Sequence, residues 1–410
     1  MPSSTTPSSS AALPAPGSDT AADLRGVSQL IITAVTGVTD IVEDMHRNIA
    51  TPSSLIGRAP AGRTRGITGL VYRSVRGVTN GVGSLLDIAL AQLSPLIPKQ
   101  AFSPRREALL AAVNGVLGDY LIADQNPLAI PMRLRQNGVP LELTPEALAS
   151  RFRDSDGRLL ILAHGLCMSD LQWLRDGHDH GAGLAKEFGY TALYLNYNSG
   201  RHISSNGHEF AATLEQLINA WPVPVRELVI VGHSMGGLIT RSACHYAEAA
   251  GHRWPGVLQK MVFLGSPHHG APLERAGNRA NLRVGISPYS APLTRLGMIR
   301  SSGIRDLRFG NLLDEDWQDQ DEHHKHDPRL SVPLHAGVEC YVVAATKGKQ
   351  PAARLPGDGL VQVHSALGQH RNSALSLPIP ASQQLIVYDT DHFALLSSQP
   401  VYQQLLVWLR

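Results

Sequence analysis

From Val27 onward, Leu30, Ile31, Val35, Val38, Val42 and Met45 recur at the three- and four-residue spacing that lines one face of a helix. The stripe returns at Ile67, Leu70, Val71, Val75, Val78, Val82 and Leu85, and both copies contain Gly-Val-Thr, at 37–39 and 77–79. This is a weak internal duplication, too short for a stacked repeat array. Leu109, Leu110, Val113, Val116 and Leu117 predict a third helix over 105–120. Residues 24–125 therefore read as a helical N-terminal appendage. Residues 1–23, rich in Ser, Thr, Pro and Ala, lack the apolar content to order themselves and read as a disordered tail.

Past residue 126 the period changes. Met132–Gln136 and Val139–Leu143 flank Asn137-Gly138, the dipeptide suited to a type I′ hairpin turn. Short apolar runs then alternate with helical patterns, at Leu159–Ala163, Ala192–Leu195, Leu228–Val231, Met261–Leu264, Tyr341–Ala345 and Leu385–Tyr388. Strands alternating with helices predict an α/β domain over 126–410, a mostly parallel central sheet flanked by helices. Val401–Leu409 is expected to be a closing helix. Residues 274–335 interrupt two core strands and read as a cap or lid insertion, with Ile286, Tyr289, Leu293, Leu296 and Met298 suited either to a lipophilic chain or to packing. The acidic run Leu313–Glu322 reads as a solvated face.

Composition narrows the class. The chain is 43% hydrophobic and 17% charged, as in ordinary globular proteins. A formal net charge of +2 argues against a nucleic-acid binder. No apolar run is long enough to span a membrane, and the N-terminus has neither the basic nor the apolar region of a secretory signal. Cys167, Cys244 and Cys340 have no metal or redox spacing, and free thiols point to a cytoplasmic location. Arg58, Arg63 and Arg65 lie in the loop between the first two helices. Such a loop suits peripheral contact with an anionic membrane, but neither helix has a basic face with aromatic anchors, so a solvated loop is favoured.

The most specific chemistry lies at Gly232-His233-Ser234-Met235-Gly236-Gly237, between an apolar strand and a helical stretch. A nucleophile on a tight strand-to-helix turn needs small residues two before and two after it, and Gly232 and Gly236 supply them. Ser234 is the candidate nucleophile, and the N–H of Met235 is a candidate oxyanion donor. In this arrangement the acid and then the histidine follow the serine in the chain. His392, after the last strand, is preferred over His364 and His370 as the base. Asp358, between Gly357 and Gly359 and past the preceding strand, is preferred over Asp389 and Asp391 as the acid. Asp391 is read as a local turn or cap residue, and Cys167 as a packing residue.

His164-Gly165-Leu166 after an apolar strand resembles the oxyanion loop of bacterial lipases, which implies the Leu166 N–H as the second donor. The resemblance also rests on Tyr197-Asn198-Ser199-Gly200, Gly232–Gly237, Gly265-Ser266-Pro267-His268-His269-Gly270, Gly357–Val361 and Asp391-His392-Phe393. Together these segments resemble the lipase and serine-esterase group of the α/β hydrolases, close to bacterial lipases and inositol-deacylase-like esterases. The resemblance implies an α/β-hydrolase fold and hydrolysis of a small or lipophilic carboxylic ester, with no cofactor. It has no counterpart for the N-terminal helices. The histidine runs at 178–180 and 323–326 read as polar loops and His268-His269 as a structural loop, so no metal site is assigned, while a structural calcium stays open. Two other readings stand beside ester hydrolysis. One is an acyltransferase using the same acyl-enzyme; the other is a non-catalytic membrane- or partner-binding protein, which predicts a degraded triad.

Overall fold

All six apolar runs of the C-terminal region form strands, and the hairpin adds two more. They are β1 (Arg133–Gln136), β2 (Val139–Pro140), β3 (Arg158–Ala163), β4 (Thr191–Asn196), β5 (Glu227–His233), β6 (Leu258–Leu264), β7 (Glu339–Ala345) and β8 (Gln384–Val387). The computed structural model describes residues 104–123, 125–271, 301–318, 327, 329–352 and 355–410. The tail 1–23, the helices expected from Val27 and from Ile67, the arginine-bearing loop, residues 274–300 of the insertion and the histidines at 323–326 lie outside the described residues.

The eight strands make one sheet in the order β2-β1-β4-β3-β5-β6-β7-β8. The pairs from β4 through β8 are parallel, and the β1–β2 hairpin is antiparallel to its neighbours. Asn137 (φ 53°) and Gly138 (φ 75°) both adopt the positive φ that a type I′ turn demands. The sheet buries both faces because helices cover each. On one face Leu159, Ile161, Leu228 and Ile230 pack with Phe210 and Leu214 of α4 (Ile203–Ala220) and Leu238 and Ile239 of α5 (Met235–Ala250). On the other, Leu160, Leu162, Val229 and Val231 pack with Leu184 of α3 (His180–Phe188) and Val401 and Leu405 of α6 (Gln399–Trp408). The remaining long helices are α1 (Pro104–Ala123) and α2 (Pro145–Phe152). No described helix is long and apolar enough to cross a membrane.

This topology positions the site. After β3 the chain crosses to β4 on one side, and after β4 it returns to β5 on the other side of β3. Loops leaving β3 and β5 therefore diverge and open a crevice at the carboxyl ends of these two strands. Ala163 and Gly232 are register partners, so the segments that follow them, beginning at His164 and Ser234, start side by side.

Two segments outside the sheet pack onto the loops at its edge. The helix expected over 105–120 forms as α1, which packs against the loop after β3 and the anchored part of the insertion. Val113, Val116 and Leu117 of α1 share a cluster with Leu128, Cys167 and Ile304. The Asn198 amide donates to the Gly118 carbonyl (2.9 Å), and a Cβ at Gly118 would stand 1.8 Å from Asn198 Oδ1. Within the insertion, residues 301–317 are anchored: Ser301 Oγ donates to the Gly115 carbonyl (2.7 Å), and Asp306 accepts from the Ile203 N–H (2.8 Å) at the start of α4. The acidic run is not wholly solvated. Asp316 is buried because its carboxylate accepts from the N–H groups of Leu312, Leu313 and Leu330.

Gly200 shows how tightly α1 seats, since a Cβ there would stand 2.1 Å from the Asn114 carbonyl oxygen and 2.7 Å from Gly118 N. Both are backbone atoms and cannot rotate away. Gly200→Ala is expected to lower unfolding stability by about 1–3 kcal/mol in urea titrations. Gly256→Ala, where nothing lies within 4 Å of the added Cβ, serves as the neutral control; equal stability of the two variants would contradict this packing.

Candidate active site

β5 ends at His233, and the chain reverses into α5 through Ser234 at φ 54° and ψ −122°. An L-residue in such a region costs about 1–3 kcal/mol and persists only where its surroundings enforce it. Here they do. A Cβ at Gly232 would stand 2.5 Å from Gly237 N, and one at Gly236 would stand 2.2 Å from the Ala163 carbonyl oxygen. The Ser234 N–H donates to the Leu264 carbonyl (2.9 Å), tying the turn to the end of β6. Met235 occupies the first helical position of α5, where a backbone N–H has no intrahelical acceptor. The positive end of the helix therefore faces the serine.

The loop after β3 lies against this turn. A Cβ at Gly165 would meet Ser234 Cβ at 3.0 Å and His233 Nδ1 at 3.2 Å, so only glycine fits comfortably between them. The loop is held on every side. Tyr197 Oη donates to the His164 carbonyl (2.7 Å), His164 Nδ1 donates to the Gly165 carbonyl (2.8 Å), and the Cys167 N–H donates to Ser199 Oγ (3.0 Å). Cys167 itself takes a positive φ of 58°.

Asp358 and His392 meet in the loops that follow β7 and β8. His392 Nδ1 lies 2.7 Å from Asp358 Oδ2, and both side chains are almost fully buried. The carboxylate is further fixed because Oδ1 accepts from the N–H groups of Leu360 (2.9 Å) and Val361 (2.7 Å). Gly357 (φ 77°) and Gly359 (φ 104°) form the tight turn that presents it. The His392 N–H also donates to the Asp358 carbonyl (3.2 Å), so the two residues are joined through side chain and backbone. A Cβ at Gly265, the residue after Leu264, would stand 3.3 Å from the His392 ring. His392 is thus brought to the same β6 end that anchors the Ser234 N–H.

Among the rival acids, Asp391 accepts from the N–H groups of Phe393 and Ala394 (2.9 Å each), a local turn role, and Asp389 lies at φ 49°. His370 is placed near His269 and Asp327. Cys167, Cys244 and Cys340 are buried free thiols, and burial pushes all three up, Cys340 to about 12.

Residues 154–344 match the PGAP1-like alpha/beta domain. The match spans the His164 loop and Ser234, and ends before Asp358 and His392. Together with the sheet order, it gives the domain an α/β-hydrolase fold. Its solved structural neighbours include the mature Bacillus licheniformis lipase BlEst2, with 17% identity, 68% of this chain and 98% of that chain covered, and a TM-score of 0.43. Aspergillus fumigatus lipase B has 13% identity, 90% and 84% coverage, and a TM-score of 0.42. The metagenomic carboxyl esterase MGS0156 has 17% identity, 58% and 64% coverage, and a TM-score of 0.34. No curated protein matches the sequence.

Several residues around the candidate site make contacts that their sequence context did not show. His233, inside the elbow motif, is fully buried and its Nε2 donates to the His392 carbonyl (3.1 Å), linking nucleophile turn and base loop. His180 Nε2 donates to the Leu395 carbonyl (2.9 Å) and its Nδ1 accepts from His178 Nε2 (2.8 Å), so this histidine pair clasps the segment after His392. His268 contacts the buried Arg241 guanidinium, whose other nitrogen donates to the Val332 carbonyl (2.6 Å). Among the described residues no group of three or more His, Cys, Asp or Glu is arranged to hold a metal.

Burial holds these imidazoles neutral: the pKa values of His164, His180 and His269 are each pushed down to about 4. The unfolded chain takes up those protons near pH 6.5, so it binds more protons than the folded state between that pH and about 4. Stability is therefore lost as pH falls through this window. Asp170 opposes the trend, because burial raises its pKa to about 6 and its ionisation at higher pH costs stability. Three histidines outweigh it. Urea titrations at pH 7 and pH 5 are expected to show the lower midpoint at pH 5; an equal or higher midpoint there would refute the neutral buried histidines.

Proposed function

We propose that this protein is a serine carboxylic ester hydrolase of the esterase or lipase type. The observation that carries this reading is the meeting of the enforced Ser234 turn with the buried Asp358–His392 pair at one end of β6. A binding protein on a hydrolase scaffold has no need to preserve both a high-energy backbone at a serine and a desolvated carboxylate–imidazole pair.

The chemistry follows from the atoms. His392 gives its Nδ1 proton to the hydrogen bond with Asp358, which leaves the Nε2 lone pair as the base. Nε2 takes the Ser234 hydroxyl proton as Oγ bonds to the ester carbonyl carbon. The N–H groups of Met235 and Leu166 receive the resulting oxyanion. When the carbonyl re-forms, the carbon–oxygen bond to the alcohol breaks, and the imidazolium returns its proton to the leaving oxygen. Water, deprotonated by the same Nε2, then attacks the acyl carbon; the bond to Ser234 Oγ breaks, the imidazolium returns its proton to Oγ, and the acid leaves. The Asp358 carboxylate steadies the imidazolium through its hydrogen bond to Nδ1, while the Leu360 and Val361 N–H groups hold the carboxylate in place. The fold-level likeness to lipases and esterases fits an ester substrate, small or lipophilic, and the steps above need only this chain's residues and water.

Steady-state hydrolysis of short- and long-chain nitrophenyl esters tests the assignment. Asp358→Asn is expected to lower kcat by about 10⁴-fold, because the amide keeps the geometry but favours the wrong imidazole tautomer. Ser234→Ala and His392→Ala are expected to lose more, on the order of 10⁶-fold. Wild-type turnover in Ser234→Ala would overturn the proposal.

A further inference from the structure

We infer that the His164 imidazole is a positioning group for the oxyanion site, holding the Gly165–Leu166 peptide in the orientation that turns the Leu166 N–H toward the developing oxyanion. The inference deepens the hydrolase reading above and rests on it. A trans peptide is planar, so its C=O and N–H point in opposite directions, and fixing one fixes the other. The Gly165 carbonyl receives the His164 Nδ1–H at 2.8 Å, which commits the Leu166 N–H to the opposite side. A carbonyl cannot donate, so Nδ1 must carry the proton.

The pinning is continuous. Three successive peptide planes are each held by one hydrogen bond: the His164–Gly165 plane by Tyr197 Oη at the His164 carbonyl, the next by His164 itself, and the Leu166–Cys167 plane by Ser199 Oγ at the Cys167 N–H. The central plane is the vulnerable one, since Gly165 has no Cβ to hinder a flip. A flipped plane would present the Gly165 carbonyl oxygen to the oxyanion and repel it. The His164 ring is itself fixed, stacked on Tyr197 at 4.2 Å and 13° and wholly buried. Its Nε2 has no hydrogen-bond partner among the described residues, so Nδ1 is the ring nitrogen that bonds. Burial also lowers its pKa to about 4, so the donor stays in this form across the neutral range.

The test compares the full-length wild type with His164→Phe, which keeps the stacked ring and deletes the donor. His164→Asn restores an amide N–H near the Nδ1 position. Tyr197→Phe keeps the ring and removes the hydroxyl that pins the preceding plane, and stands in if His164→Phe does not fold. Kinetics on a nitrophenyl ester and thermal melting are read together. We expect His164→Phe to lower kcat by about 10²-fold, the scale of losing one oxyanion donor. KM and Tm should stay near wild type, with partial recovery in His164→Asn and a smaller kcat loss in Tyr197→Phe. A folded His164→Phe with wild-type kcat, or failing that a Tyr197→Phe with wild-type kcat, overturns the inference and leaves the hydrolase reading standing. A wild-type protein that hydrolyses no ester overturns both.

Discussion

Steric crowding where β5 turns into α5 governs the rest of the structure. Backbone atoms of Gly237 and Ala163 approach Gly232 and Gly236 so closely that no Cβ fits at either position. The chain is thereby forced through φ 54° at Ser234, which lifts its side chain out of the strand-to-helix path. That strain is sustained by the fully buried sheet on either side, where β3, β5 and β6 carry apolar residues on both faces. A loosened sheet would let the turn relax, and the serine would sink into an ordinary helix start.

Around this turn the polar groups form a buried scaffold. His233 ties the turn to the backbone of His392, and the His178–His180 pair ties the next segment to α3. Asp358 receives three hydrogen bonds on its two oxygens. Because burial keeps the surrounding imidazoles neutral, the ionised carboxylate faces few competing charges, and its field acts mainly on His392. α1 completes the scaffold from outside the sheet. A Cβ at Gly115 would stand 2.2 Å from Cys167 Sγ, so this helix presses directly on the loop beside the nucleophile.

Features that depend on local pattern were legible in the sequence. Parallel strands buried on both faces read as continuous apolar runs, and every such run became a strand. The Asn137-Gly138 turn and the Gly-x-Ser-x-Gly elbow are short-range constraints on φ and on Cβ space, so residue identity alone reveals them. The glycines at 357 and 359, visible in the sequence, mark the tight turn that carries Asp358 against His392. What escaped were contacts between segments remote in the chain. Nothing in the spacing of α1 shows that Gly115 faces Cys167, or that Ser199 receives the Cys167 N–H. The charges of Leu313–Glu322 suggested solvent, yet Asp316 is drawn inward by three backbone N–H groups supplied by two loops. His164 and His233 had no individual role assigned from the sequence, and their contacts emerge only once β3, β4, β5 and the His392 loop are side by side.

The central claim is that Ser234 is an activated nucleophile. Native protein treated with a fluorophosphonate, digested and mapped by tandem mass spectrometry addresses it directly. One phosphonyl adduct per chain is expected, located on Ser234. An unlabelled native protein, or an adduct on any other residue while Ser234 stays unmodified, would contradict it.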